Sequence, residues 1–176
     1  MAGVWAVAAV ALALTTACTP DPDPTPSPTP TGFASEEEAF AAAEETYRAY
    51  VDALNQVDLS DPETFEPVFA LSTGNFHEDE KRLLSEYHAE GYTVTGDSVV
   101  ALVQPLSWER KVQTATLAAC VDVSGVELVD RNGKSMVSPD RVDVQSTLVT
   151  LTADVDSTKW HIRDIEGRAG APTCAD

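Results

Sequence analysis

The stretch His88-Ala89-Glu90-Gly91-Tyr92-Thr93-Val94-Thr95-Gly96 divides the chain into two parts of different periodicity. Before it, apolar residues recur at steps of three and four; after it, they alternate. Gly91 stops a helix well, because it enters the left-handed region without steric cost. From Tyr92 onward, segments 92–95 and 99–103 read as strands, with Gly96-Asp97 as a hairpin turn between them. Helices first and strands second is an α+β order, with helices covering one face of an antiparallel sheet. There is no βαβ alternation of the kind a doubly wound sheet needs.

Toward the N-terminus, the spacing predicts three helices. Ser35-Glu36-Glu37-Glu38 is a capping box, and its acids also suit the positive end of a helix dipole. Phe40, Ala43, Tyr47, Tyr50, Val51 and Leu54 then form one apolar stripe. Pro67 fits the first turn of a short second helix that buries Phe65, Val68, Phe69 and Leu71 and ends near Gly74. The third helix opens on Asn75 and Glu78 and turns Leu83, Leu84 and Tyr87 inward.

Toward the C-terminus, segment 112–123 reads as a long strand, with Ala115, Leu117, Ala119, Val121 and Val123 on one face. Asn132-Gly133 marks a hairpin. Segment 141–153 changes apolar phase between Leu148 and Val149, which predicts a bulge and a curved sheet. Trp160, Ile162 and Ile165 give a last strand with a similar slip.

Tyr47-Arg48-Ala49-Tyr50-Val51, Phe65-Glu66-Pro67-Val68-Phe69 and the opening stretch together resemble a group of uncharacterised actinobacterial lipoproteins. These in turn are similar to the NTF2-like (cystatin-like) superfamily, a cone of helices wrapped by a curved sheet. The resemblance covers residues 35–174 and brings no assigned activity. It implies a cone interior that is either filled or open as a pocket, with Tyr47, Tyr87, Trp108 and Trp160 as its expected lining.

The N-terminal residues read as an address. An apolar run over 4–14, too short to span a bilayer, suits a secretory signal peptide. Thr16 and Ala17 directly before Cys18 resemble a bacterial lipobox, although Thr15 stands where Leu is usual; the alternative is an ordinary cleaved signal with Cys18 incidental. Proline at 20, 22, 24, 26, 28 and 30 holds the chain near polyproline II, so no packed structure forms there. Such a stalk would hold a domain about 40 Å off a surface. The expected organisation is a signal at 1–17, a lipidated Cys18 with a disordered stalk at 18–34, and an α+β domain at 35–176. A lipid such as palmitate would fix the chain to the extracytoplasmic face of the cell membrane. The abundance of Ala, Val, Asp and Thr points to a GC-rich source.

Formal net charge is −18, from 29 acids and 11 bases over 176 residues. That charge repels phosphate backbones and excludes nucleic acid as a partner. With Cys18 assigned to lipid, Cys120 and Cys174 remain as an even pair in an exported chain, which reads as a disulfide. The alternative is a buried free Cys120 with Cys174 in a frayed tail.

No catalytic set emerges. Tyr47, Tyr87, His88, Asp122 and His161 are the candidate acids and bases. The tyrosines also fit as core residues, His88 as a helix cap, and His161 as a solvent-facing strand residue. His77-Glu78-Asp79-Glu80 has a metal-like composition but sits in a first helical turn, where acids suit the dipole. Asp130-Arg131-Asn132-Gly133-Lys134-Ser135 lacks the earlier glycine of a P-loop. Trp108, beside Glu109, Arg110 and Lys111, is either an exposed hairpin tip or packed back onto the sheet. The expectation is a non-enzymatic surface module without cofactor or metal that binds an envelope protein or component. The alternatives are a small apolar ligand carrier using the cone and, third, an isomerase- or dehydratase-like enzyme.

Overall fold

A computed structural model describes residues 32–174, together with Gly3. The Ser35 hydroxyl accepts from the Glu38 N–H at 3.1 Å, while the Glu38 carboxylate reaches back to the Ala34 N–H at 3.0 Å. This capping box launches α1, Glu36–Asn55, which buries Ala39, Ala43, Tyr47, Tyr50 and Val51 along one stripe. A 3-10 turn, Pro62–Phe65, capped by the Asp61 carboxylate, leads into the single-turn helix α2, Glu66–Phe69. Helix α3, Gly74–Glu90, ends at Gly91 with φ 68°.

The start of α3 differs from the expected Asn75 and Glu78 pair. Thr73 is the cap residue and its side chain makes no capping bond. His77 fastens this corner instead. Its Nδ1 lies 3.0 Å from the Ser72 hydroxyl and 3.1 Å from the Phe69 carbonyl, tying the first turn of α3 to the end of α2.

Four strands form the main antiparallel sheet in the order β2 (Val99–Glu109), β3 (Thr114–Asp122), β5 (Val144–Thr152) and β6 (His161–Gly167). A separate two-stranded sheet pairs β1 (Thr93–Thr95) with β4 (Glu127–Val129). Segments 92–95 and 99–103 therefore do not form a hairpin. Gly96, at φ 79°, lies where the chain leaves one sheet for the other, and a Cβ there would collide with the Gly125 carbonyl oxygen. Strand β2 also runs past Pro105 to Glu109. It is an edge strand, where a missing N–H is tolerated.

The helices α1 and α3 pack on the sheet, α1 against β2 and β3 and α3 against β6. Extra residues at Ala101 and Leu106 in β2 and at Arg163 in β6 shift the register, and bulges of this kind bend a sheet. The β3–β5 register is unbroken from Thr114 opposite Thr152 to Asp122 opposite Val144, so the phase change at Leu148 and Val149 is not a bulge. Its cause lies in the candidate site. The result is the α+β arrangement of helices on a curved antiparallel sheet that the resemblance implies.

Residues 32–34, by composition the end of the stalk, belong to the packed domain. The Phe33 ring stacks on Trp160 at 4.9 Å and meets Trp108 edge-on at 6.3 Å. On the outer face of β3, Cys120 is bonded to Cys174, with Cα atoms 5.5 Å apart. Apart from Gly3, the signal at 1–17, Cys18 and the stalk up to residue 31 lie outside the described residues. No helix among the described residues is long and apolar enough to cross a membrane.

Candidate functional site

The cone is plugged at one end and open at the other. Near the N-terminus of α1, the fully buried Trp160 donates its indole N–H to the Ala39 carbonyl at 2.8 Å. Stacked Phe33 completes the plug. Tyr50 lies eleven residues further along α1, a distance of about 16 Å at helical rise. There the packing opens into a groove of about 400 Å³ between α1, α3 and the β1–β4 sheet. Its walls are mainly apolar: Leu54 from α1, Leu83, Leu84 and Tyr87 from α3, Val94 from β1 and Leu128 from β4.

A second cavity of about 300 Å³ shares Tyr50, Leu54, Glu80 and Ser98 with the groove and reaches under the main sheet. This explains the phase change in β5. Its inward residues are Gln145, Thr147, Val149 and Leu151. Val149 and Leu151 sit opposite Leu117 and Ala115 in the core, while Gln145 and Thr147 wall the smaller cavity. The polar residues stand where the interior is open.

Glu80 and Tyr50 face each other where the two spaces meet. Burial pushes the Glu80 carboxyl above the usual carboxylate range; the Tyr50 hydroxyl, donating to it, pulls the other way, and Asp79 adds to the rise. Burial, then the Glu80 charge, pushes Tyr50 far up. No salt bridge among the described residues includes Glu80. Glu80 and Arg141 are the charged side chains of the groove, and Glu80 alone charges the smaller cavity. Arg141, half-buried in the segment before β5, also borders a hollow beside that strand. Asn55 braces the floor: its amide donates to the Ser98 carbonyl and accepts from the Ser98 N–H, both at 2.9 Å.

The four expected lining aromatics are not brought together. Tyr87 lines the groove, its ring 5.3 Å from that of Tyr92. Tyr47 borders the smaller cavity, where burial raises its hydroxyl pKa and a hydrogen bond with Thr147 opposes the rise. Trp160 is part of the plug. Trp108 sits in β2 opposite Ala115, half-buried, with the Arg110 guanidinium 4.7 Å above its ring. It is packed on the sheet and is not an exposed tip.

The other candidates stand outside the groove. The His88 Nδ1–H donates to the Leu59 carbonyl at 2.7 Å, so it ties α3 to the loop after α1 instead of capping its own helix. Asp122 is half-buried at the end of β3, and hydrogen bonds from the Ser124 hydroxyl and N–H hold it below the usual carboxylate range. His161 is half-buried in β6, its pKa pushed down by burial and by Lys159. Of His77-Glu78-Asp79-Glu80, Glu80 points into the groove, whereas Asp79 pairs with Arg82 on the surface. Among the described residues, no three His, Cys, Asp or Glu side chains are arranged to hold a metal. In the hairpin at 130–135, the Asp130 carboxylate accepts from the Asn132 and Lys134 N–H groups at 2.8 and 2.9 Å, a turn-stabilising role.

Sequence reasoning missed Glu80, Asn55 and Leu54 as site residues and assigned Tyr50 to the core. One signal was available for Glu80. It stands three residues before Leu83 and four before Leu84, on the inward face of α3.

No protein-family model and no curated protein matches the chain. Among solved structures, the intermembrane space region of the chloroplast protein ARC6 is similar over 74% of this chain and 96% of its own, with TM-score 0.53 and 14% identity. A proposed aromatic ring hydroxylase from Novosphingobium aromaticivorans matches over 77% and 96%, with TM-score 0.47 and 13% identity. The proposed transfer protein TraH of a Gram-positive conjugative plasmid matches over 81% and 100%, with TM-score 0.41 and 12% identity. The first likeness is one of fold alone.

Proposed function

We propose that this chain is a lipid-tethered binding protein of the bacterial envelope that carries a small apolar ligand in the groove between α1, α3 and the β1–β4 sheet. The observation that carries the reading is the groove itself, about 400 Å³ of mainly apolar wall with a few converging polar groups. Small-molecule sites have this size and character. Of the two non-enzymatic readings, docking of an envelope protein and carriage of a small molecule, the groove supports the second.

The enzymatic reading finds less support. Isomerase- or dehydratase-type proton transfer needs a base and an oxyanion donor on opposite walls of the pocket. Among the described residues the groove's candidate acid and base are Glu80 from α3 and Tyr50 from α1, which face each other with the Tyr50 hydroxyl directed at Glu80 itself. The tether rests on the sequence: the lipobox at Cys18 and the alternating prolines after it. The actinobacterial source belongs to the same proposal.

The test uses the neutral fluorophore N-phenyl-1-naphthylamine with the full chain. Its emission is expected to rise on binding in the groove, and Leu83→Asp, at a half-buried wall position, is expected to remove that rise while near-UV circular dichroism reports an intact fold. Equal emission from both proteins would sink the proposal. In a bacterial host, Cys18→Ala is expected to release the chain from the membrane fraction.

A further inference from the structure

We infer that the groove selects a cationic amphiphile, an apolar body bearing an ammonium group whose N–H donors are accepted by Glu80. This deepens the carrier reading and rests on it.

Glu80 is placed in a mainly apolar space with Tyr50 as its single side-chain partner and no cation within salt-bridge distance among the described residues. A carboxylate taken from water is costly to hold unless it is paired and hydrogen-bonded. One tyrosine hydroxyl fills one of about four acceptor positions on a carboxylate. The remaining positions are open to a donor arriving in the groove.

Three further observations give that donor its charge. The smaller cavity has no Lys, Arg or His in its wall, and in the groove Arg141 comes from the segment before β5 and makes no salt bridge with Glu80. An anionic head group reaching into the smaller cavity would therefore meet Glu80 without a compensating cation. Tyr50 and Tyr87 supply aromatic surface on the same walls, which favours a cation further. Net charge of −18 raises the local concentration of cations and lowers that of anions around the whole molecule. The apolar walls then set the rest of the ligand, because Leu54, Leu83, Leu84 and Leu128 offer no polar partner.

The experiment is displacement of N-phenyl-1-naphthylamine from the full chain by decylamine, decanol and decanoate, each kept below its micelle concentration. Decylamine is expected to displace the probe at about tenfold lower concentration than decanol, the worth of one charge-assisted hydrogen bond, with decanoate weakest of the three. In Glu80→Gln the amine and the alcohol are expected to become equal; the ratio within each protein cancels any change in probe affinity. The wild-type preference is also expected to survive 0.5 M NaCl, because a buried contact is screened far less than the surface field. Probe binding with equal displacement by all three overturns the inference and leaves the carrier reading standing. An amine preference that persists in Glu80→Gln, or disappears with salt, also overturns it by assigning the effect to surface charge. No probe binding at all sinks both.

Discussion

Glu80 is the residue whose behaviour separates folding from function. Burial raises its pKa, so the folded state binds that proton more tightly than the unfolded chain does. The sign follows from linkage. For a carboxyl with a raised folded-state pKa, the favourable contribution is complete below the unfolded value near 4.5 and is lost as pH rises through the folded value. At neutral pH, Glu80 is therefore a net cost to the fold. Glu80→Gln removes the charge and keeps the shape and a hydrogen-bonding partner for Tyr50. The variant is expected to be more stable than wild type at pH 7, by a fraction of a kcal/mol to about 1 kcal/mol, the scale of one buried polar interaction. The advantage is expected to vanish near pH 4. Urea denaturation of both proteins at the two pH values measures it, and a variant less stable at pH 7 would contradict the burial argument. A carboxylate kept where a glutamine is more stable is what a ligand-facing residue looks like.

At the scale of elements, the C-terminal end of α1 is fastened beside the groove by Asn55, through two hydrogen bonds to the Ser98 backbone just before β2. Asn55→Ala leaves two backbone groups without their partner and is expected to cost about 1–3 kcal/mol. Hydrogen exchange is expected to show faster opening at 96–100 than at β3, because the clamp is local to that corner. Uniform acceleration across the sheet would show that Asn55 serves the whole core. This corner also marks the limit of what the sequence discloses. The helices were legible because capping residues and a stripe at helical spacing act over a few neighbouring positions, as at Ser35 and along Tyr47, Tyr50 and Val51. The inner face of β3 was legible for the same local reason. The partner of β1 was not, because Gly96-Asp97 carries a hairpin signal whether the next strand turns back or changes sheet. The near contact of Gly96 with Gly125 decides between them, and those residues are far apart in the chain. The polar Gln145 and Thr147 produced a phase change that reads as a bulge. Only the adjoining cavity reveals that they wall an open space. The site itself was half legible: Tyr47 and Tyr87 border the two spaces, while Trp108 and Trp160 fill the opposite end.

At the scale of the whole molecule, the fold is closed from outside while its inside stays open. Charge works against compactness, since 29 acids face 11 bases and the four ion pairs among the described residues are exposed. Exposed pairs of this kind contribute little. The interior also forgoes packing where the groove lies. The Cys120–Cys174 bond offsets both by fixing the C-terminal tail to the outer face of β3, across a separation of 54 residues. Closing a loop of that length removes unfolded-state freedom worth about 4 kcal/mol in the chain-entropy model. Cys174→Ala, or reduction of the wild type, is therefore expected to lower unfolding stability by a few kcal/mol, up to that figure. The groove should be spared at moderate temperature. The bond lies on the outer face of β3, and the inward residues Val121 and Val123 border the smaller cavity on the opposite face. Thermal unfolding and probe titration on the same reduced sample give the two answers together. A large fall in melting temperature with unchanged probe affinity at 20 °C would establish that the staple stabilises the fold without shaping the site. Loss of affinity in a still-folded protein would instead show that tension on the outer face sets the width of the groove.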